Sequence, residues 1–241
     1  MKYAAFIVTE GATVPEALTV MQKELPPWIE EMDRRGVRVL GRELDFPATA
    51  ATVRVRDGET LVTDGPFAET KEFVAGFDVL ECADLDEAIG VVTTSPVFRY
   101  HPFEIRAFGD GLRLSARVPE FAREDDSAGV PYLLTVWVGG TPAASLEDQA
   151  VLQEYDAWRQ DLDARGLYIL GSALGSAGTA TTLRTRDGKT QLIDGPFLDT
   201  EEFLAGLDVV RCAEKQQAIE AAAAHPMARY HAIEVRPFYS E

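Results

Sequence analysis

The stretch "DGPFAETKEF" at residues 64–73 returns later in the chain as "DGPFLDTEEF" at residues 194–203. An offset of about 130 positions aligns these two segments and most of the sequence around them. The motifs Arg-Asp-Gly, Arg-Tyr-His and Glu-x-Arg recur at the same offset. This pattern predicts a duplicated domain, with a first repeat over residues 1–108, a linker over 109–131 and a second repeat over 132–241.

Each repeat has the same predicted order of elements, namely strand, helix, strand, hairpin, strand, helix and strand. Asp57 and Gly58 mark the hairpin turn of the first repeat. Pro26 and Pro27 predict a kink or a restart in its first helix, whereas the equivalent helix of the second repeat reads as unbroken. This order is that of a ferredoxin-like α+β fold with an inserted hairpin.

The composition excludes several classes of protein. A net charge of −17 argues against a nucleic-acid partner, because binding a phosphate backbone requires an excess of Lys and Arg. No apolar segment has membrane-spanning length, and the amino terminus lacks a signal-peptide core, so we expect a cytoplasmic protein without a membrane partner. Cys82 and Cys212 lie at equivalent strand positions and are expected to be buried, reduced thiols.

The sequence also offers no recognisable cofactor or metal site. Its three histidines and two cysteines lack metal-ligand spacing. The glycine-rich segment at residues 171–178 lacks the lysine of a phosphate-binding loop and the spacing of a dinucleotide fingerprint. We therefore expect a protein that works without a cofactor or a metal ion.

The segment "DGPFAETKEFVAGFDVLECADLDEAI", with the later "EIR" and "EVRPF", resembles the YCII-related family, in particular its DGPF-motif branch. The likeness covers nearly all of both repeats. That family is similar in fold to muconolactone isomerases and other dimeric α+β barrels, in which two ferredoxin-like units pair their sheets around a cavity. The resemblance therefore implies two tandem ferredoxin-like repeats that form an intramolecular α+β barrel, a pseudo-dimer within one chain. A further homodimer is left open.

Two pairs of aspartates recur at equivalent positions. Asp64 and Asp194 head the DGPF turns, where each is either a turn residue that bonds nearby backbone N–H groups or a general acid or base at the mouth of a cavity. Asp78 and Asp208 lie in the middle of predicted strands. Burial of an unpaired carboxylate is costly, so each of these either has a fixed partner or faces a wet cavity and contacts ligand.

His101 and His231 recur on one face of the last strand of each repeat. A lone histidine on an apolar face is usually a hydrogen-bonded core residue. A recurring His and Asp are also the minimal set for proton transfer without a cofactor, so both histidines join the four aspartates as catalytic candidates.

The candidate substrate-binding residues are cations and aromatic side chains at repeated positions. The arginines either pair with nearby glutamates or hold an acidic substrate, and the tryptophans either pack the helix on the sheet or stack on a ligand. These residues are Arg99, Arg229, Arg106, Arg236, Trp28 and Trp158.

Two functions are compatible with these residues. The first is a bacterial acid/base enzyme without a cofactor, an isomerase, lyase or cyclase that acts on a small organic molecule. The alternative is a non-catalytic small-molecule-binding or regulatory protein, linked to an alternative sigma factor as the resemblance implies. The sequence leaves open which repeat holds the working site.

Overall fold

The computed structural model describes residues 1–10, 15–67, 72–109, 111–139, 148–197 and 202–240. The chain divides into two compact units. Unit 1 comprises Met1–Glu43, Thr70–Gly111 and Gly175–Asp199, and unit 2 comprises Leu44–Glu69, Leu112–Leu174 and Thr200–Glu241. Each unit therefore takes most of its residues from one repeat and a shorter segment from the other.

Unit 1 contains one six-stranded antiparallel sheet with helices on one face. Its strands are β1 (Lys2–Glu10), β2 (Arg38–Glu43), β5 (Glu72–Glu81), β6 (Phe103–Ala107), β10 (Thr181–Arg186) and β11 (Lys189–Asp194). They lie in the order β11-β10-β6-β1-β5-β2. Its helices are α1 (Pro15–Lys23), α2 (Leu25–Arg34) and α3 (Leu85–Thr94).

Unit 2 repeats this plan with one further strand. Its strands are β3 (Ala51–Arg56), β4 (Glu59–Asp64), β7 (Arg113–Leu114), β8 (Val130–Gly139), β9 (Tyr168–Ala173), β12 (Glu202–Cys212) and β13 (Ala232–Pro237). They lie in the order β4-β3-β13-β8-β12-β9-β7. Its helices are α4 (Val118–Ala122), α5 (Gln149–Ala164) and α6 (Lys215–Ala224).

The predicted α+β class and the predicted order of elements in each ferredoxin-like repeat are confirmed. The effect of the double proline is confirmed as well. Helix α1 ends at Lys23 and α2 begins at Leu25, which puts Pro26 and Pro27 into a first turn, where a missing N–H costs nothing. The equivalent helix α5 runs unbroken for 16 residues.

The two hairpins are exchanged between the repeats, which the sequence did not predict. Strand β3 of the first repeat pairs with β13 of the second, where Val53 lies opposite Ile233. Strand β10 of the second repeat pairs with β6 of the first, where Leu183 lies opposite Phe103. A gapless repeat alignment shows that both hairpins exist, but it carries no information on which sheet each one joins.

The hairpin turns themselves have the predicted geometry. Asp57 and Gly58 adopt φ angles of 53° and 81°, as a two-residue type I′ turn requires. Asp187 and Gly188 repeat this geometry with 51° and 71°. The twist of such a turn matches that of the strands it joins, so the local sequence sets the pairing within each hairpin.

The hydrophobic core of each unit lies between its helices and one face of its sheet. Cys82 and Cys212 belong to these cores and are free thiols, as predicted. Burial raises the pKa of each thiol to about 11, so both remain protonated at neutral pH.

The segment between the repeats is packed into unit 2. Phe121 of α4 is fully buried and meets Phe238 edge-on at a centroid distance of 5.0 Å. Arg211 of β12 donates from Nη1 to Glu120 (3.0 Å) and from Nη2 to the carbonyl oxygen of Asp125 (2.9 Å). These contacts fix the connection onto the second repeat.

Candidate functional site

The carboxylates of the DGPF motifs lie at the solvent. Asp64 and Asp194 are the last residues of the exposed edge strands β4 and β11. Neither side chain accepts a hydrogen bond from any residue that the structure describes. The turn is held by backbone instead, because Gly65, at φ +99°, donates its N–H to the carbonyl oxygen of Ala50 at 3.0 Å.

The backbone N–H of the phenylalanine in each DGPF motif binds the exchanged hairpin to the other repeat. Phe67 N–H donates to a carboxylate oxygen of Glu234 at 3.0 Å, and Phe197 N–H donates to Glu104 at the same distance. Each DGPF motif is thus bound by the Glu-x-Arg motif of the other repeat. Residues 68–71 and 198–201, which complete the repeated stretch, lie outside the described residues.

The arginines of the Glu-x-Arg motifs lie beside their own glutamates. Arg106, 1% exposed, donates from Nε and Nη2 to one oxygen of Glu104 at 2.9 and 2.6 Å. The Nε atom of Arg236 lies 3.3 Å from Glu234, and this residue is also buried. The glutamate of each pair is the same residue that accepts the hydrogen bond from the exchanged hairpin.

Arg99 and Arg229 form surface ion pairs at repeat-equivalent positions. Arg99 pairs with Glu24, and Arg229 pairs with Glu154. All four side chains are roughly half exposed, and exposed pairs of this kind contribute little to stability.

Each of the two tryptophans lies on one helix and donates a hydrogen bond to a residue of another helix. The indole Nε1 of Trp28 donates to the hydroxyl of Thr94 at 3.0 Å. The indole Nε1 of Trp158, which is 8% exposed, donates to the carbonyl oxygen of Ala221 at 3.0 Å. Trp158 also lies beside Asp208, in the cluster described below.

His101 and His231 are buried at equivalent positions, with exposed fractions of 7% and 6%. Burial lowers the pKa of both, and the nearby guanidinium of Arg56 lowers that of His231 further. His101 has a hydrogen bond with the backbone of Val8, which opposes its shift. Both imidazoles are thus held in the neutral form at neutral pH.

Asp78, in unit 1, has a fixed cationic partner. Arg38 Nε donates to its Oδ1 at 2.7 Å, and the same guanidinium reaches Asp33 at 3.2 Å and the carbonyl oxygen of Gly41 at 2.8 Å. Burial raises the pKa of the Asp78 carboxyl, although the charge of Arg38 opposes that shift. The arrangement is a buried ion pair.

Asp208, the equivalent residue in unit 2, has no Arg or Lys partner among the described residues. It is 2% exposed, and its Oδ1 accepts a hydrogen bond from the hydroxyl of Tyr155 at 2.7 Å. Its Oδ2 lies 3.4 Å from Nε2 of His225. We call Asp208, Tyr155, His225, Trp158 and Tyr168 the Asp208 cluster; it lies between α5 and the helix-bearing face of the sheet.

The tautomer of His225 follows from its other ring nitrogen. Nδ1 accepts the backbone N–H of Met227 at 3.1 Å, so in the neutral ring the proton resides on Nε2 and faces Asp208. The edge of the ring packs against Trp158 with centroids 4.5 Å apart. Nε2 makes no close hydrogen bond among the described residues, and the polar atom that it faces is Oδ2 of Asp208 at 3.4 Å.

The hydroxyl of Tyr168 is a further buried polar group of the cluster. Tyr168 is 1% exposed, and its hydroxyl interacts with the hydroxyl of Tyr155. Burial and the Asp208 carboxylate raise its pKa, as they do for Tyr155, so both hydroxyls stay protonated. A Cβ atom at Gly171 would lie 1.9 Å from Oδ1 of Asp208 and 2.8 Å from the Tyr168 hydroxyl. The Asp208 carboxylate therefore fills the position that a side chain at residue 171 would take, and the Tyr168 hydroxyl lies next to it.

Three members of this cluster were missed by the sequence analysis, which searched for residues that the two repeats share. Tyr155, Tyr168 and His225 have no identical counterparts, because Leu25, Arg38 and Ser95 occupy the aligned positions. The positions around the shared aspartate at which the two repeats differ would have indicated these residues.

Among the described residues, no group of three or more His, Cys, Asp or Glu side chains is arranged to hold a metal ion. No helix in the same part of the chain is long and apolar enough to cross a membrane.

The model of the YCII-related domain matches residues 1–108 and again residues 133–240, so the chain belongs to the YCII-related family and carries its domain twice. An uncharacterized protein of Rhizobium meliloti (strain 1021) is 61% identical over 44 residues, a match that spans 18% of this chain and 36% of that relative. The crystal structure of putative chlorite dismutase TA0507 superimposes with a TM-score of 0.43 at 10% identity, over 99% of this chain and 95% of that one.

Proposed function

We propose that this protein is an acid/base enzyme of the isomerase, lyase or cyclase type, that it needs no cofactor, and that unit 2 holds its working site. We also propose that it belongs to the DGPF-motif branch of its family. The observation that carries the functional proposal is the buried carboxylate of Asp208, which has the Tyr155 hydroxyl and the His225 imidazole beside it and no Arg or Lys partner among the described residues.

Each group of the cluster has a defined part in such a reaction. Asp208 accepts a proton from carbon or oxygen of the substrate as the general base. His225 Nε2–H and the Tyr168 hydroxyl donate to the oxygen on which negative charge develops. Tyr155 orients the carboxylate by its hydrogen bond to Oδ1.

The path to the site passes Tyr155. Of the five residues of the cluster, Tyr155 alone is partly exposed, whereas the other four are between 1% and 8% exposed. A substrate that reaches Asp208 therefore displaces or slides past the Tyr155 ring. Exclusion of water around a carboxylate strengthens the hydrogen bonds and charges that act on the substrate.

The test is proton exchange in heavy water with a panel of small carbonyl compounds, followed by mass spectrometry. Asp208→Asn removes the base while it keeps the size of the side chain, and we expect at least about a 100-fold loss of exchange or turnover. Asp78→Asn is the matched control, because it makes the same change at the equivalent position of unit 1, and it should retain activity. Equal rates in wild type and Asp208→Asn, or no exchange by wild type with any compound, would refute the proposed function.

The second candidate is a non-catalytic binding or regulatory protein. The closed character of the cluster favours it, since four of the five side chains are almost fully buried and a retained ligand needs such enclosure. A compound that raises the melting temperature of wild type but not of Asp208→Asn, and that is recovered unchanged, supports this second function.

A further inference from the structure

Each exchanged hairpin ends in an edge strand that presents backbone groups and apolar side chains to solvent. Strand β4 is the last strand of the sheet of unit 2, and β11 is the last strand of the sheet of unit 1. We infer that β4 of one copy of this protein pairs with β11 of a second copy as antiparallel neighbours, so that the chain associates with itself. This association does not depend on the proposed enzymatic function.

Both strands are exposed along their whole length. Leu61 and Val62 are 49% and 47% exposed, and Leu192 and Ile193 are 56% and 38% exposed. An exposed edge strand with apolar side chains is a template for pairing with another chain, and proteins usually protect such an edge with a proline, a bulge or a lysine. Neither strand contains a proline or a bulge, and Lys189 lies only at the beginning of β11.

The hydrogen bonds of the first hairpin show which backbone groups of β4 are free. The N–H of Gly65, which follows β4, donates to the carbonyl oxygen of Ala50 at 3.0 Å, on the side of β3. In an antiparallel pair of strands every second residue bonds to the partner strand. The alternate residues Thr60, Val62 and Asp64 therefore direct their N–H and C=O groups away from β3, towards an edge that no described strand covers.

The second hairpin has the same phase. The N–H of Gly195, which follows β11, donates to the carbonyl oxygen of Ala180 at 2.9 Å, on the side of β10. Thr190, Leu192 and Asp194 therefore direct their backbone groups outwards, again to an edge without a neighbour among the described strands. The two edges thus offer alternating donors and acceptors with the same spacing.

One antiparallel register satisfies these backbone groups and the apolar side chains together. When Val62 lies opposite Leu192 of the second copy, every outward-directed residue of β4 lies opposite an outward-directed residue of β11. The adjacent pair is Leu61 with Ile193, so both apolar side chains of one strand contact those of the other. No two residues of like charge lie opposite each other in this register.

Pairing of two identical strands is less favourable. When two copies of β4 place Val62 opposite itself, Leu61 lies opposite Thr63. When they place Leu61 opposite itself, Val62 lies opposite Thr60. Two copies of β11 likewise place an apolar residue opposite a polar one. Since cross-strand contacts of side chains stabilise a sheet, each edge fits the other edge better than it fits itself.

Sedimentation equilibrium of the full-length protein tests the association. A net charge of −17 opposes it at low salt, so the mass is measured at about 0.3 M salt, between about 1 and 200 μM protein. We expect the mass to rise above that of one chain towards the higher concentrations, because two short strands form a small interface.

A pair of charge substitutions identifies the strands. Val62→Lys and Leu192→Glu should each weaken the association at least about tenfold, since each places a charge opposite an apolar residue. The double variant should recover much of this loss, because Lys and Glu then lie opposite each other. Leu152→Lys is the matched control: it replaces another exposed leucine, on α5, and should associate like wild type.

A disulfide reports the register. Leu61 and Ile193 of the second copy form a pair without mutual backbone hydrogen bonds, in which side chains lie closest together. A chain with both Leu61→Cys and Ile193→Cys should therefore give cross-linked chains on oxidation, whereas either substitution alone should not. Cys82 and Cys212 are buried and do not compete.

Three results would overturn the inference. The first is the mass of one chain at every concentration, and the second is an association that neither single charge variant weakens. The third is loss of association in Val62→Lys without recovery in the double variant and without a disulfide, which would indicate that β4 pairs with itself or with another surface.

Discussion

Asp78 and Asp208 occupy equivalent positions in two copies of one fold, and both are buried, yet they have different partners. Asp78 is held by a guanidinium at 2.7 Å, whereas Asp208 receives a tyrosine hydroxyl and faces an imidazole. The strand requires only that each buried carboxylate be satisfied. In unit 1 a guanidinium satisfies it, and in unit 2 a tyrosine hydroxyl does so. Duplication thus left two different solutions at one position, and the proposed acid/base function rests on this difference.

The largest expected effect is on the ion pair of unit 1. Arg38→Leu leaves Asp78 buried without its cation, and we expect it to lower the free energy of unfolding by about 3 kcal/mol, measured with urea. Adding Asp78→Leu to this variant should restore much of the loss, because no uncompensated charge remains. A loss below about 1 kcal/mol in the single variant would show that the two sites are less different than their geometry indicates.

A smaller effect is expected for the hydrogen bond of unit 2. Tyr155→Phe removes the donor to Asp208 and should cost about 2 kcal/mol, within the range for hydrogen bonds to charged groups. The acid/base proposal also expects turnover to fall while Tyr168 and His225 remain in place. If Tyr155→Phe is as stable as wild type, another donor satisfies Asp208, and Tyr155 is not the counterpart of Arg38 in this comparison.

The shared histidines should make the two units alike in their response to pH. Burial lowers the pKa of His101 and His231 in the folded protein, whereas the unfolded chain titrates near the ordinary value of about 6.5. Below that value the unfolded state binds more protons, so stability is complete above about pH 6.5 and falls as the pH drops towards the folded pKa values. Each histidine contributes a slope of at most about 1.4 kcal/mol per pH unit.

This pH dependence is checked by urea unfolding at about pH 7 and about pH 5.5. His101→Gln and His231→Gln should each reduce the fall in stability between the two conditions, and by similar amounts. If one variant keeps the full fall, its histidine is not held neutral by the fold.

The repeated features of the fold were predictable from the sequence, because local rules fix them. The Asp57-Gly58 turn and the break before Pro26 follow from backbone geometry alone, and both are confirmed. The exchange of the hairpins was not predictable, because β3 presents the same edge to the strand of either repeat. Sequence alone gave no reason to prefer the distant partner.

The candidate site was predictable only in part. Asp208 and Trp158 were found because their counterparts carry the same residues. Tyr168 and His225 were not, since a search for shared residues discards the positions at which one copy has changed. A buried position that is Arg in one repeat and Tyr in the other, close to a shared aspartate, was the informative pattern.

The hairpin exchange also has a consequence for how the protein is made. Strand β3, with Val53, can pair with β13 only after Ile233 has left the ribosome. In the same way, the sheet of unit 1 can be completed only after residues 181–194 have been made. Contacts that span so much of the chain form slowly, and the nascent first half meanwhile carries the unpaired edge of β3 with Val53. The sheet of unit 1 is therefore incomplete until residues 181–194 are made, and loss of the last strand alone would leave the hairpin made first without its sheet.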